Sequence, residues 1–176
     1  GGFAGLTAAN RGAELGLKAL VLEAGSEELY RCNSRFSTGS LHVAFHPPQT
    51  APSGLYAAIM ALSEGTARPD LAEAIASRAA RTIDWMTAQG AAFESHPRRT
   101  DAMPMLSPLR EMRAGLDWKD SGANRFLQRL GALLLERGGE LRRGMRAQRL
   151  ILEKGAVAGV EVRTGQGVEI IAAKSV

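Results

Sequence analysis

The residues with the clearest chemical potential are the glycines at the start of the chain, which reads Gly1-Gly2-Phe3-Ala4-Gly5. Their spacing matches the second and third glycines of the G-x-G-x-x-G turn that holds the pyrophosphate of a dinucleotide. A glycine without a Cβ lets the backbone approach phosphates closely, and the helix that follows offers N–H groups and a partial positive charge. The first glycine and the strand before it would precede Gly1, so we expect the chain to be a fragment.

An acidic residue follows this turn at the distance expected for a ribose-binding group. Residues 6–15 predict a helix of mostly small side chains, and Gly16 supplies its C-terminal end. Residues 18–23 predict a short buried parallel strand that ends in Glu23. A carboxylate about 20 residues after the last glycine is placed to accept hydrogen bonds from ribose hydroxyls. The alternative is an ordinary βα unit with a surface glutamate.

Composition is typical of a globular domain and excludes several classes. The 176 residues carry a net charge of +4 with 45% hydrophobic residues, and this length suffices for a single core. The arginines are scattered without interleaved aromatic residues, which argues against nucleic-acid binding. No apolar stretch approaches the roughly 20 residues that span a membrane. The single cysteine, Cys32, excludes an internal disulfide and fits a reducing compartment, so we expect a cytoplasmic protein.

The chain divides into three predicted regions, of which the first two hold most of the loops. Residues 1–50 contain the glycine turn and become rich in loops from residue 24 onward. Residues 51–120 form an excursion with helices over 54–63 and 69–89, followed by an irregular stretch over 91–120.

The third region, residues 121–176, predicts a helix followed by a β-meander. The helix runs from about Gly122 to Arg137, where Gly138-Gly139 stop it. Alternating patterns then predict three strands joined by glycine-containing turns, over residues 147–153, 156–162 and 168–172. The predicted fold class is α/β, a Rossmann-like domain with a helical excursion and a three-stranded β-meander.

Apolar side chains at helical spacing predict which helix faces are buried. The predicted core residues of the long middle helix are Leu71, Ile75, Ala79, Ile83 and Met86. Those of the last helix are Phe126, Leu127, Leu130, Leu133 and Leu134.

Three segments carry a family likeness. They are Gly1-Gly2-Phe3-Ala4-Gly5, Leu22-Glu23-Ala24, and Asn33-Ser34-Arg35 through Thr38-Gly39-Ser40. Together they resemble the FAD-binding domain of the succinate dehydrogenase/fumarate reductase flavoprotein family, which includes ketosteroid dehydrogenases and tricarballylate dehydrogenase-like proteins. The last helix and the meander resemble the same family, so the likeness covers nearly the whole chain.

The resemblance implies an FAD site. The implied cofactor-binding residues are Gly2, Ala4, Gly5, Glu23, Ala24, Asn33, Ser34, Thr38, Gly39, Ser40 and Ala147. The glycine turn would face the pyrophosphate, Glu23 the adenosine ribose, and the backbone of Ala147 the adenine. The segment from Asn33 to Ser40 would line the pyrophosphate and the flavin ring. Covalent members carry a flavin-linked histidine near Asn33, and its absence here implies non-covalent FAD.

The resemblance also implies departures and missing parts. The family often has glycine pairs where this chain has Arg31-Cys32 and Gly39-Ser40, and both changes alter backbone freedom beside the flavin. In the family a capping domain and a C-terminal half follow the meander, and they carry the substrate-binding and proton-delivering residues. Those catalytic residues would lie beyond Val176, so none is assigned.

The implied function is an FAD-dependent oxidoreductase that moves a hydride between the flavin and a substrate C–C bond next to a carboxylate or ketone. An electron donor or acceptor would be its second partner. Two alternatives are a dinucleotide-binding module without turnover and a nicotinamide enzyme with a similar turn. The Asn33–Ser40 segment argues against the nicotinamide enzyme, in which the acid usually leads straight into another helix and strand.

Two further groups of residues give weaker signals. His42 and His46 have the spacing of a metal pair on a helix, but their segment does not look helical, which favours a polar loop. A second polar stretch could approach a substrate, although a solvated loop is the favoured interpretation; it holds Arg110, Arg113, Asp117, Trp118 and Asp120.

Overall fold

The computed structural model describes residues 1–95, 103–111 and 118–176. The chain forms two compact units. The first comprises Gly1–Asn33 and Leu130–Val176, and the second comprises Ser34–Arg129. Each unit is held together by its own contacts.

Five helices and seven strands are present in the described residues. The helices are α1 (Phe3–Glu14), α2 (Asn33–Phe36), α3 (Pro52–Leu62), α4 (Pro69–Ala88) and α5 (Gly122–Glu136). The strands are β1 (Leu20–Leu22), β2 (Phe93–Ser95), β3 (Pro104–Leu106), β4 (Glu140–Arg142), β5 (Arg146–Glu153), β6 (Ala156–Thr164) and β7 (Gly167–Ala172). This mixture confirms the predicted α/β class. None of the described helices combines the length and the apolar character needed to cross a bilayer.

The first unit begins with the predicted helix and strand. After α1, Gly16 has a φ of +81°, a left-handed conformation that glycine adopts without a Cβ penalty at a helix end. β1 pairs in parallel with β4, with Val21 opposite Leu141. The sequence did not predict β4, because Leu141 is its single apolar residue, whereas β1 lies in a continuous apolar run.

The β-meander is present as predicted. β5, β6 and β7 form a three-stranded antiparallel sheet in that order. Met145, Val160 and Val162 are buried together, and Leu22 of β1 and Ile171 of β7 pack against them. This hydrophobic cluster attaches the meander to β1.

The second unit contains the packed helix pair α3 and α4. Leu55 of α3 is fully buried against Ala76 and Ala79 of α4, and Val43 and Tyr56 complete the cluster. The small alanine side chains on α4 leave room for the larger Leu55.

The predicted buried face of α4 is wrong at its start. Leu71 and Ile75 are each 52% exposed, whereas Ala72 and Ala76 are buried. Alanine and the longer apolar residues form adjacent stripes on this helix, and packing against α3 selects the alanine stripe. For α5 the prediction is confirmed, since its five predicted core residues are all buried: Phe126, Leu127, Leu130, Leu133 and Leu134.

Two stretches predicted to be irregular contain regular structure. α2 lies within the predicted loop of residues 24–50, and β2 pairs antiparallel with β3 within residues 91–120. A single helical turn and three-residue strands give no periodic signal in a sequence. The remaining parts of the second stretch, residues 96–102 and 112–117, lie outside the described residues.

A buried asparagine joins α1 to α5 within the first unit. Asn10 is fully buried, and its Nδ2 donates to the carbonyl oxygens of Leu6 at 2.9 Å and Leu130 at 2.8 Å. Its Oδ1 accepts a hydrogen bond from Arg137 Nη1 at 2.7 Å. Arg137 also pairs with Glu14 at 3.2 Å. A satisfied buried amide of this kind fixes the helices in one arrangement.

Replacing Asn10 by alanine is expected to lower the free energy of unfolding by about 2 kcal/mol, because Leu130 and Arg137 each lose a buried hydrogen-bond partner. Urea-induced unfolding followed by circular dichroism measures this loss. The control is Gln128→Ala at an exposed position of α5, which should change the free energy by less than about 0.5 kcal/mol. An equally small change for N10A would show that the network does not stabilise the fold.

Candidate functional site

In the first unit, the glycine turn leads directly into the N-terminus of α1. Gly2 is the N-cap, with no side-chain cap hydrogen bond, and the first turn of the helix contains no acidic residue. The first N–H groups of any helix lack an acceptor within the helix. Of the predicted phosphate-binding residues, Ala4 and Gly5 are exposed and Gly2 is half-buried. This helix end therefore suits a negatively charged ligand.

Glu23 lies directly after β1, and its carboxylate points back towards the glycine turn. The residue is 9% exposed. Its Oε1 accepts a hydrogen bond from the N–H of Gly25 at 2.7 Å, and its Oε2 lies 3.2 Å from the nitrogen of Gly1. A buried carboxylate needs such partners, and they fix its orientation. The structure thus brings the predicted ribose-binding acid next to the glycine turn.

Backbone hydrogen bonds connect Glu23 to the segment that follows β4. The N–H of Met145 donates to the carbonyl of Glu23 at 2.8 Å, and the N–H of Gly144 donates to the carbonyl of Gly25 at 2.9 Å. Ala147, the predicted adenine contact, comes two residues after Met145 and is exposed. Ala24, beside Glu23, is exposed as well. Ala24 and Ala147 therefore lie on two segments that backbone hydrogen bonds hold together.

Tyr30 also packs at this site. The sequence does not predict its role, because Tyr30 stands in a loop-rich stretch without a recognisable motif. The residue is 2% exposed, and its hydroxyl donates to the carbonyl of Gly1 at 2.6 Å. A Cβ at Gly1 would lie 2.9 Å from the Tyr30 ring and would also clash with the Glu23 carboxylate. A Cβ at Gly25 would lie 2.6 Å from the Cβ of Tyr30. Tyr30 fills the space that these two glycines leave open.

The other predicted cofactor segment runs from Asn33 to Ser40 and begins with the single turn of α2. Asn33 and Thr38 are exposed, and Ser34 is half-buried. Ser37 Oγ donates to the carbonyl of Ser34 at 2.9 Å and accepts from the N–H of Gly39 at 3.3 Å. These local hydrogen bonds turn the chain sharply after α2.

Gly39 and Ser40 attach this segment to β3 within the second unit. The carbonyl of Gly39 accepts a hydrogen bond from the N–H of Leu106 at 2.9 Å, and Ser40 forms an antiparallel bridge with Met105. Gly39 has a φ of +79°. A Cβ there would lie 3.0 Å from the Cβ of Leu106. Glycine is therefore required at position 39 both for its backbone conformation and for close packing.

The two departures from the family's glycine pairs fit the backbone. Arg31, Cys32 and Ser40 all lack a positive φ, so none of them is strained by its side chain. The hydroxyl of Ser40 is buried and has no hydrogen-bond partner among the residues that the structure describes. Such a group is costly to leave unpaired, and a hydrogen-bonding ligand would satisfy it.

The turn that follows this segment holds both loop histidines. Val43 and His46 exchange backbone hydrogen bonds of 2.9 and 2.8 Å around Ala44 and Phe45. His42 Nδ1 accepts from the N–H of Phe45 at 3.2 Å, and His46 Nδ1 lies 2.7 Å from the carbonyl of Ala44. The prediction of a non-helical loop is confirmed. Over residues 1–95, 103–111 and 118–176 no three metal-binding side chains come together.

The polar stretch near residue 110 is partly buried. Trp118 is 4% exposed, and its ring meets the ring of Phe36 edge-on with centroids 5.2 Å apart. Arg110 Nη1 donates to the carbonyl of Phe36. The expectation of a solvated loop is wrong for Trp118, whose large ring gains from burial. Arg113 and Asp117 lie outside the described residues.

A known protein family matches the whole chain. The family model described as "FAD binding domain" matches residues 1–176. The chain belongs to the FAD binding domain family. This membership confirms the resemblance drawn from the sequence, and FAD is the cofactor that it supports.

Two solved structures share the fold of this FAD binding domain. The 3-ketosteroid-Δ4-(5α)-dehydrogenase from Rhodococcus jostii RHA1, in complex with 4-androstene-3,17-dione, is 18% identical, with 98% of this chain and 42% of that chain covered and a TM-score of 0.74. A flavocytochrome c3 fumarate reductase in an open conformation is 20% identical, with 90% of this chain and 32% of that chain covered and a TM-score of 0.63. The chain thus spans less than half the length of either protein. No curated protein matches the sequence.

Gly39→Ala is expected to destabilise the FAD binding domain more than Gly65→Ala. The two glycines have similar φ values, +79° and +75°, so a Cβ at either position costs about 1 kcal/mol from backbone conformation. Only at Gly39 does the Cβ also meet Leu106, because a Cβ at Gly65 has no atom within 4 Å. In thermal unfolding, we expect the Tm of G39A to lie about 3 °C or more below that of G65A. Equal Tm values would contradict the packing requirement.

Proposed function

We propose that the protein is an FAD-dependent oxidoreductase that moves a hydride between the flavin and a substrate C–C bond next to a carboxylate or ketone. The observation that carries this proposal is the family match over residues 1–176. The two proteins that share its fold support the reaction class, since one is a ketosteroid dehydrogenase with a bound dione and the other is a fumarate reductase. The dione bound to the first protein favours a ketone substrate, and the fumarate reduced by the second favours a carboxylate.

The residues of each unit suit FAD. In the first unit, the turn of Gly2, Ala4 and Gly5 would hold the pyrophosphate at the N-terminus of α1, where no side chain of Gly2 competes. Glu23, with Ala24 beside it, would accept hydrogen bonds from the adenosine ribose, since its carboxylate is already fixed by Gly25. The backbone of Ala147 would contact the adenine.

The second unit would serve the flavin side of the cofactor. There we assign Ser34, Thr38, Gly39 and Ser40 to the pyrophosphate and the flavin ring, together with the neighbouring Asn33. The buried hydroxyl of Ser40, which has no partner among the described residues, would gain a hydrogen bond from the cofactor. FAD supplies the hydride chemistry when it is bound, and these residues hold and orient it.

Two finer features complete the proposal. FAD is held without a covalent bond, since Cys32, Asn33 and Ser34 stand where covalent members of the resembling family carry a histidine. The protein works in the cytoplasm, where its single cysteine stays reduced, and it exchanges electrons with a separate donor or acceptor. We propose no nucleic-acid partner and no membrane span for this chain.

Glu23→Gln is expected to weaken FAD binding about tenfold, because one carboxylate oxygen that accepts from the ribose is replaced by an NH2 group, which can only donate. Titration of FAD with protein, followed by quenching of flavin fluorescence, measures the Kd. Glu27→Gln is the matched control, since Glu27 is an exposed acid in the same unit, and its Kd should stay within about twofold of the unaltered value. Equal affinities for E23Q and E27Q would exclude Glu23 from the ribose site.

The oxidoreductase activity is tested by following the visible band of the protein-bound flavin without oxygen. The flavin is first reduced chemically, and unsaturated carboxylates or unsaturated ketones are then added one at a time. Reoxidation by a member of either class would support the proposal. The reverse direction is tested with the saturated compounds and oxidised flavin. A bound flavin that exchanges electrons with no compound of either class would favour a dinucleotide-binding module without turnover.

A further inference from the structure

Arg35, in the short helix α2, is a buried arginine that the proposed cofactor contacts do not use. The residue is 2% exposed, and its Nη1 donates a hydrogen bond to Oδ1 of Asn124 in the first turn of α5. Asn124 is itself 1% exposed. Removing a guanidinium from water is costly unless it is hydrogen-bonded, so a buried arginine binds its partners tightly and fixes the backbone that carries it.

Asn124 is fixed before it meets Arg35. Its Nδ2 donates to the carbonyl of Lys119, and its N–H donates to Ser121 Oγ at 3.4 Å. Ser121 Oγ in turn donates to the carbonyl of Trp118 at 2.7 Å. Arg35 therefore contacts a preformed acceptor on the long helix α5, and the hydrogen bond transmits the position of that helix to α2.

The segment that follows Arg35 is held at both ends within the second unit. At the start, the ring of Phe36 packs edge-on against Trp118, and its carbonyl accepts from Arg110. At the far end, Gly39 and Ser40 pair with β3. An isolated helix of one turn is unstable in water. The conformation of α2 is therefore set by these tertiary contacts rather than by local propensity.

We propose that the Arg35–Asn124 hydrogen bond is a positioning contact that sets the orientation of the Ser37–Ser40 segment towards the flavin of FAD. This inference rests on the proposed function. Arg35 acts through the backbone of its own segment, so it is a positioning residue. Its planar guanidinium fixes direction as well as distance, which a lysine ammonium does not reproduce.

The test compares variants of the FAD-loaded protein. Arg35→Lys keeps the positive charge but replaces the planar guanidinium, and Asn124→Ala removes the Oδ1 acceptor. Each is expected to raise the Kd for FAD about fivefold and to change the visible circular dichroism of the bound flavin. The double variant should resemble the single variants within about twofold, because all three remove the same Arg35–Asn124 hydrogen bond.

The control is Arg81→Lys, at an exposed position of α4 in the same unit, which should match the unaltered protein in both measurements. A lower Tm for R35K and N124A with unchanged Kd and dichroism would overturn the proposal, because the contact would then serve stability alone. Fully additive effects in the double variant would overturn it too. If either single variant fails to fold, the other decides the outcome. Failure of the unaltered protein to bind FAD would defeat the proposed function and this inference together.

Discussion

The first unit depends on the parallel pairing of β1 with β4 and its continuation beyond both strands. The hydrogen bonds from Met145 to Glu23 and from Gly144 to Gly25 fix the backbone where β1 ends. That backbone carries the Glu23 carboxylate, which reaches the glycine turn before α1. Ligands of α/β proteins bind beyond the carboxyl ends of parallel strands, so this pairing sets the place where a nucleotide is bound. The same Met145 belongs to the hydrophobic cluster under the meander, which connects the site to the core.

In the second unit, tertiary contacts hold a short irregular segment in one conformation. α2 has only four residues, and a segment of this length has almost no stability of its own. Glycine geometry at position 39, pairing with β3 and the buried Arg35 supply what local propensity does not. Segments that contact ligands are commonly less stable than the core. In this unit, rigid neighbours on α5 and β3 compensate for that weakness.

The sequence predicted the long elements and the acid, and it missed contacts between distant residues. α1, α5 and the meander were predicted because each is long enough to show a period, and Glu23 because its spacing from Gly5 follows a known turn. β2, β3 and β4 have three residues each, and unlike β1 none of them lies in a continuous apolar run bounded by a motif. The buried face of α4 was misassigned because Leu71 and Ile75 outrank alanine in hydrophobicity, whereas packing favoured Ala72 and Ala76. The roles of Tyr30 and Arg35 depend on hydrogen bonds to Gly1 and Asn124, which are remote along the chain.

The central claim is that this chain binds FAD without a covalent bond. It is tested most directly by the visible spectrum of the purified protein with added FAD, followed by denaturation and identification of the released cofactor. The account predicts a shifted flavin spectrum on binding and intact FAD in the supernatant after the protein is precipitated. A spectrum that is the simple sum of protein and free FAD would contradict binding, and flavin that stays with the precipitate would contradict non-covalent attachment.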